Sequence, residues 1–200
     1  MARSFDLKRR GVPRRNRKPT YLIIAEGRNK TETNYFSHFQ DQEKPYILRM
    51  VKAGSNTDIE SLYKTICNRW EESELSEEEG DCAFIVFDLD NSESKIEKVE
   101  TIIKNNKVKG IQFIASNPTF EIWFLLHFRY TSKYYADGKE VISDLKKYIP
   151  DYEKNKDAFL LCEDRMAEAL KNAVKLNKQK EQEKYRNPMT DVGQLVSLLV

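Results

Sequence analysis

The chain is poor in glycine, histidine and cysteine, and these shortages weigh against several classes of enzyme. Its 200 residues include seven glycines, two histidines and three cysteines. No phosphate-binding G-x-x-x-x-G-K-[ST] loop, no dinucleotide-binding G-x-G-x-x-G segment and no hydrolase G-x-S-x-G motif occurs. The cysteines are widely spaced, and neither histidine has a partner at zinc-ligand spacing. The sequence therefore gives no support to dinucleotide binding, to a phosphate-loop hydrolase or to a zinc site.

Long hydrophobic runs are also missing. The most apolar segment, residues 120–128, is far shorter than the roughly 20 apolar residues that a membrane-spanning helix requires. The basic N-terminus is not followed by an apolar segment, so we expect no secretory signal. Because isolated cysteines suit a reducing compartment, we expect a cytoplasmic protein that makes no contact with membranes.

The net charge of +2 conceals a basic N-terminus on an acidic body. Residues 1–20 contain eight Lys and Arg residues against one Asp, a net charge of +7, which leaves −5 for residues 21–200. Glycine and proline in residues 1–19 predict a flexible basic arm, which either contacts the phosphates of a nucleic acid or is a solvated tail. The candidate nucleic-acid-binding residues are Arg9, Arg10, Arg14, Arg15, Arg17 and Lys18.

Four short apolar runs alternate with helical patterns along residues 20–130. The runs are residues 21–25, 46–51, 82–87 and 111–115. The first and third are continuously apolar, which is typical of strands buried on both faces of a parallel sheet. The alternation predicts an α/β fold with a four-stranded parallel sheet between helices. Residues 131–200 are more polar, and we expect them to form an additional C-terminal helical region packed on the sheet domain.

Acids follow the two most apolar strands. Glu26 ends the first, and Asp88 and Asp90 follow the third. Ligands of parallel sheets bind outside the carboxyl ends of the strands, and alternation along an extended segment would aim Asp88 and Asp90 to the same side. Uncompensated carboxylates need a cation between them, and hard oxygen ligands favour Mg²⁺ or Mn²⁺. The pattern predicts a metal site, although each acid alone also suits an ordinary strand end or turn.

Residues 116–128 are predicted to form a buried helix that carries one acid. Asn117 is a suitable N-terminal cap, and Pro118 suits the first helical position. The positions that follow are apolar on nearly all sides, as in a helix surrounded by protein. Glu121 in such a helix needs either a polar partner or a catalytic role.

Three further charged residues follow the first strand. Glu32 lies in the first turn of the predicted helix 31–40, where it either stabilises the helix dipole or adds a ligand or catalytic acid. Arg28 and Lys30 lie in the turn before that helix. They would hold a substrate phosphate in an active site, and otherwise they are solvated turn residues.

Five segments carry a family resemblance. They are residues 22–27 (LIIAEG), 30–36 (KTETNYF), 86–90 (VFDLD), 116–128 (SNPTFEIWFLLHF) and 187–192 (NPMTDV). In this order they resemble the RloB-like proteins, a branch of the Toprim superfamily found in phage-defence loci of bacteria and archaea. The resemblance covers most of the chain, and the basic N-terminal arm also suits that family.

The resemblance implies a Toprim-type fold and a metal-dependent endonuclease or phosphodiesterase. By position, Glu26, Asp88 and Asp90 would bind Mg²⁺ or Mn²⁺, with Glu26 either a metal ligand or the general base that acts on an attacking water. Glu32 would assist the metals as the first-helix glutamate does in OLD-type nucleases. The expected activity is cleavage of tRNA or DNA in an abortive-infection response. The expected partner is an ABC-type ATPase encoded alongside, which senses infection and holds or releases the effector.

Two departures from the family pattern, and one alternative function, leave questions open. Arg28 follows the A-E-G segment, and Asn91 follows the D-x-D where another acid is frequent. Glu93 or Glu121 would then take the place of that further acid, so the number of metals is open.

The alternative function is a non-catalytic binding module that docks the ATPase or nucleic acid. The sequence also leaves open the choice of RNA or DNA and whether the chain forms a homodimer.

Overall fold

A mostly parallel sheet organises the chain. The computed structural model describes residues 17–26, 30–178 and 187–200. The strands are β1 (Thr20–Ala25), β2 (Ile47–Val51), β3 (Cys82–Asp88), β4 (Ile111–Asn117) and β5 (Met189–Thr190). Their order across the sheet is β2-β1-β3-β4-β5. Adjacent strands among β1 to β4 pair in parallel, and β5 pairs antiparallel with β4.

Helices cover both faces of this sheet. They are α1 (Thr31–Ser37), α2 (Ile59–Glu72), α3 (Glu93–Asn105), α4 (Glu121–Phe128), α5 (Gly138–Leu145), α6 (Phe159–Cys162), α7 (Met166–Lys178) and α8 (Val192–Leu199). Apolar residues of α2 and α3 form one core with one face of the sheet. Those of α1, α4 and the later helices form a second core with the other face. No helix within the described ranges is both long and apolar enough to cross a bilayer.

The α/β class and the four parallel strands predicted from the sequence are confirmed. The sheet has one strand more than predicted, because Ser116 and Asn117 of β4 pair with Thr190 and Met189 of β5. A strand of two residues has too little hydrophobic pattern to be recognised from sequence.

The segment 131–200 is not purely helical, because it contains β5, and its described part shares a hydrophobic core with the sheet. The proposed boundary at 130 stays a prediction, and residues 1–16 of the predicted arm lie outside the described residues.

The predicted start of α4 is wrong. Asn117 belongs to β4, its peptide bond to Pro118 is cis, and the helix begins at Glu121. β4 continues through Asn117 because its end is paired with β5. The Asn117 side chain has a different task from capping: its Oδ1 accepts a hydrogen bond from the backbone N–H of Asn91 at 3.0 Å, which holds the turn after β3.

The expectation that this helix is buried is confirmed. Every residue from Glu121 to His127 is buried, and α4 packs against α5 and α7 as well as against β4 and β5. A helix enclosed in this way has little freedom to shift, since protein interiors are close-packed. Glu121 is therefore held in a fixed position beyond the carboxyl end of β4.

A buried carboxylate ties together the opposite edge of the sheet, where the parallel strands begin. Asp81 accepts hydrogen bonds from the backbone N–H groups of Thr20 at 2.7 Å and Ser76 at 2.9 Å, and it is paired with the guanidinium of Arg17. Burial alone would raise the pKa of Asp81, but these hydrogen bonds and the charge of Arg17 bring it below its usual value. This ion pair therefore contributes most at neutral pH.

Replacing Asp81 with Ala is expected to lower the free energy of unfolding by about 3 kcal/mol, because it leaves a partly buried Arg17 and two backbone donors without their partner. Urea unfolding at neutral pH measures the loss. Asp58→Ala is the control. It removes the exposed cap that accepts the Ser61 N–H at 3.1 Å, and it should cost about 1 kcal/mol. Equal losses in the two variants would contradict the anchoring role of Asp81.

Candidate active site

The carboxyl ends of β1 and β3 bring two of the predicted acids together. Glu26 directly follows β1, and Asp88 is the last residue of β3. The Oε2 atom of Glu26 accepts a hydrogen bond from the backbone N–H of Asp88 at 3.2 Å. The two residues are therefore neighbours at one edge of the sheet, as parallel pairing of these strands requires.

Asp90 adopts a different orientation from the one predicted. Its φ is 53°, in the left-handed region, so the extended segment ends at Asp88 and alternation does not carry over to Asp90. The Asp90 side chain is 63% exposed. It meets Glu26 through Lys95, whose Nζ lies 3.0 Å from Asp90 Oδ2 and 2.8 and 2.9 Å from the two oxygens of Glu26. Lys95 thus holds the position that a cation would take between these two acids.

Asn91 accounts for the turn that moves Asp90 outward. Its φ of 56° is also left-handed, a conformation that Asn adopts more readily than most residues. Its side-chain amide donates to the carbonyls of Tyr135 at 3.0 Å and Ala136 at 2.9 Å. Asn91 stands where the RloB-like pattern often has another acid. The structure explains the amide at this position, because it links the turn after β3 to the C-terminal segment.

Two further acids, Glu32 and Glu121, approach Asp88 from the helices. We call Glu26, Glu32, Asp88 and Glu121 the acid cluster. Burial raises the pKa of Glu32 to about 7, and the charges of Glu121 and Glu26 add to that rise. Burial, and then the charges of Glu32 and Glu121, raise the pKa of Asp88 well above its usual value. Burial is therefore the main cause of both raised pKa values, and repulsion from the neighbouring acids adds to it.

Thr119 lies between the carboxyls of Asp88 and Glu121. Its Oγ1 is 3.0 Å from Asp88 Oδ2 and 2.5 Å from Glu121 Oε2. A hydroxyl has one proton to donate, so Thr119 cannot fully satisfy two ionised carboxylates, and the pKa of Asp88 is raised well above its usual value. The other oxygen of Glu121 accepts the hydroxyl of Tyr152 at 2.8 Å. Glu121 therefore has the polar partners that its buried position demands.

The C-terminal segment adds a lysine to the cluster. Lys154 Nζ lies 3.4 Å from Glu121 Oε2 and donates to Thr119 Oγ1 at 3.3 Å. Its backbone carbonyl accepts the hydroxyl of Thr31 at the start of α1. Burial would lower the pKa of Lys154, but the charges of Glu121, Asp88 and Glu32 raise it overall. Lys154 is therefore a firmly charged ammonium inside the site.

Lys154, Tyr152 and Thr119 were missed at the level of sequence. Lys154 and Tyr152 lie in a polar loop between α5 and α6 with no distinguishing pattern. Only the folded chain brings that loop next to α1. Thr119 had a usable signal, since it stands two residues before Glu121 inside one of the segments that carry the resemblance.

Among the described residues, none of the other predicted candidates forms a hydrogen bond or ion pair with the acid cluster. Lys30 is exposed at the start of α1, Glu93 is exposed at the start of α3, and Arg28 lies outside the described residues. Arg17 is paired with Asp81 and Glu79, and the Lys18 ammonium donates to the carbonyl of Gln42. Arg17 and Lys18 therefore lie at the opposite edge of the sheet from the acid cluster. The other basic-arm candidates, Arg9, Arg10, Arg14 and Arg15, fall outside the described part of the chain.

Comparison with known families assigns the chain. The family model of RloB-like proteins matches residues 21–199. The chain belongs to the RloB-like family. No curated protein and no solved structure matches it significantly. The matched residues of this RloB-like chain include the whole acid cluster, Asp90, Lys95 and Lys154, and they exclude the whole basic N-terminus, residues 1–20.

The donor set of this RloB-like chain suits a hard divalent cation. The acid cluster and Asp90 offer only carboxylate oxygens, the ligands that Mg²⁺ and Mn²⁺ prefer, and two lysines oppose five acids. Within the described ranges, no group of three or more Asp, Glu, His or Cys side chains already stands at metal-ligand geometry. Lys95 and Thr119 occupy the spaces between the carboxyls. The residues fit the metal in the chemistry and charge of their oxygens, but the described side chains are not arranged around an ion.

The raised pKa of Glu32 predicts a stability that depends on pH. The folded chain favours the protonated form of Glu32, and this preference adds to the free energy of unfolding. The added stability is fully present below pH 4.5 and is lost as the pH rises through about 7. Glutamine does not titrate. In EDTA, Glu32→Gln should therefore gain stability relative to the wild type across this window, by about 3 kcal/mol at most. Urea unfolding at a series of pH values measures the difference.

The exposed Glu78→Gln substitution is the matched control, and its difference from the wild type should vary little over the same range. A Glu32→Gln curve that runs parallel to the wild-type curve would show that this carboxyl is not held in its neutral form.

Proposed function

We propose that this RloB-like protein is a divalent-metal-dependent nuclease of the Toprim type that hydrolyses phosphodiester bonds in tRNA or DNA. Within the same proposal, it is the effector of a two-component phage-defence system and is controlled by an ABC-type ATPase. One observation carries the chemical part: the acid cluster, with its excess negative charge, lies at the carboxyl edge of four adjacent parallel strands. The defence role and the ATPase partner are supported by membership of the family and by the resemblance to proteins of such loci.

The side chains suit distinct tasks in phosphodiester hydrolysis. A bound Mg²⁺ or Mn²⁺, held by Glu26, Asp88 and Asp90, would polarise the phosphate and increase the acidity of bound water. Glu32, with a pKa of about 7, can accept the proton of an attacking water at neutral pH. Lys154 supplies fixed positive charge where negative charge develops on the phosphate. Tyr152 and Thr119 hold Glu121 in place.

Asp88→Asn is expected to reduce nucleic-acid cleavage at least about 100-fold, because it removes a carboxylate from the centre of the cluster. The assay incubates the purified protein, alone and with the ATPase encoded beside it, with tRNA and with plasmid DNA in the presence of Mg²⁺. Asp164→Asn, in the exposed turn before α7, is the matched control and should cleave normally. Full cleavage by Asp88→Asn, with its fold verified by circular dichroism, would exclude this nuclease site.

The geometry also favours a second candidate, a binding module that docks the ATPase or nucleic acid without cleaving it. Lys95 already offsets one of the two negative charges of Glu26 and Asp90 through three contacts of 3.0 Å or less. Thr119, Tyr152 and Lys154 likewise satisfy Glu121. In such a module the acids would act as structural parts of a polar network, and no divalent ion would be needed.

Metal binding separates the two functions. A nuclease site should bind Mg²⁺ or Mn²⁺ and raise the midpoint of thermal unfolding by about 5 °C at a concentration near 100 times the dissociation constant. The shift should saturate, and it should vanish in Asp88→Asn but persist in Asp164→Asn. Differential scanning fluorimetry across a metal titration measures it. The binding module predicts the same unfolding midpoint with and without metal in all three proteins.

A further inference from the structure

A groove of about 480 Å³ lies on the open edge of the sheet, outside the acid cluster. It runs between the edge strand β2 and helix α2, and its lining includes Leu22, Arg49, Lys52, Asn68, Arg69 and Glu72. We propose that this groove binds the phosphodiester backbone of a nucleic-acid strand and leads that strand to the acid cluster. The inference rests on the proposed nuclease function and extends it to the path of the substrate.

The register of β2 explains why a cation lies in this groove. Leu48 is buried in the core on the α1 and α4 side, so its neighbour Arg49 projects from the opposite face, the side covered by α2. Arg49 pairs in register with Leu22 of β1, which belongs to the α2 and α3 core. Because β2 is the last strand on its side of the sheet, this face of Arg49 is open to solvent. Arg49 is exposed accordingly.

The charges of the groove favour a polyanion. Three cations and one acid line it, and Arg69 is paired with Glu72 at 3.2 Å. Arg49 and Lys52 have no ion-pair or hydrogen-bond partner for their side chains among the described residues. This local charge of +2 contrasts with the charge of −5 over residues 21–200. A phosphate backbone is the ligand that two free cations in an open groove neutralise most simply.

The lining predicts contact with phosphates and sugars, and little contact with bases. None of the described residues that line the groove is aromatic, so no platform for stacking bases is present there. Asn68 is exposed and offers an amide donor beside the cations. Contacts of this kind position a strand without reading its sequence.

The groove opens directly beside the acid cluster. Ile24 of β1 pairs in parallel with Val51 of β2, so Lys52 follows β2 at the level where Ala25 and Glu26 end β1. Neighbouring strands are about 4.8 Å apart, so the backbones of Lys52 and Glu26 are separated by little more than one strand spacing. A nucleic-acid strand held by Arg49 and Lys52 would therefore lie close to the carboxyl edge of the sheet.

Binding without cleavage tests this path. The full chain is titrated in EDTA against a fluorescein-labelled single strand of RNA and, separately, of DNA, and anisotropy is followed over a series of salt concentrations. The test variant carries Arg49→Gln and Lys52→Gln. The control carries Lys107→Gln and Lys109→Gln, two exposed lysines between α3 and β4, so both proteins lose the same charge.

The groove variant should lose about 1.4 from the slope of log affinity against log salt, since each phosphate contact with a single strand contributes about 0.7. Its dissociation constant at 0.1 M salt should rise roughly tenfold or more, while the control stays within about twofold of the wild type. A difference seen with only one nucleic acid supports the groove and identifies the substrate. Equal weakening in the two variants, unchanged binding by the groove variant, or a wild type that binds neither strand would overturn the proposal.

The result is separable from the nuclease proposal, because EDTA removes the metal and binding alone is read. Cleavage by Asp88→Asn would exclude the nuclease site. It would not change the binding difference between the groove variant and its control, because that difference is measured separately. Normal binding by the groove variant, together with loss of cleavage in Asp88→Asn, would overturn the path and keep the nuclease.

Discussion

Repulsion among carboxylates at the carboxyl edge of the sheet is the constraint on which the rest of the site depends. Five acids meet there, and the two lysines that contact them leave an excess of negative charge. Burial is the largest cause of the raised pKa values of Glu32 and Asp88, and repulsion from the neighbouring acids adds to it. Such an arrangement persists in a folded protein only if protons, lysines or a bound cation offset the repulsion.

Rigid elements hold the acids in this unfavourable arrangement. Asp88 is the end of a buried strand, and Glu121 belongs to a helix enclosed on all sides. The lysine that opposes these two acids comes from the distant segment 131–200, and the hydroxyl of Thr31 holds its backbone against α1. The site is thus completed by the C-terminal segment, which also contributes β5 and part of the common core.

The two edges of the sheet have opposite electrostatic characters. At the amino edge, Asp81 is matched by Arg17 and two backbone donors, so its charge stabilises the fold and is not available for chemistry. At the carboxyl edge, the acids are only partly matched by Lys95 and Lys154, and they lie beside a groove that holds two unpaired cations. A polyanionic substrate would be attracted by the groove and would need a cation to approach the acids. This pairing of features agrees with the proposed metal-dependent nuclease.

The α/β class, the four parallel strands and the proximity of Glu26 to Asp88 follow from local patterns in the sequence, because long buried strands carry a strong hydrophobic pattern and parallel pairing aligns their ends. The orientation of Asp90, the start of α4 and the presence of Lys154 in the site are set only when the chain folds. A left-handed turn held by the Asn91 amide, an extension of β4 that depends on pairing with β5, and a polar loop folded against α1 are all set by contacts between residues far apart in the chain. Local sequence patterns do not record such contacts.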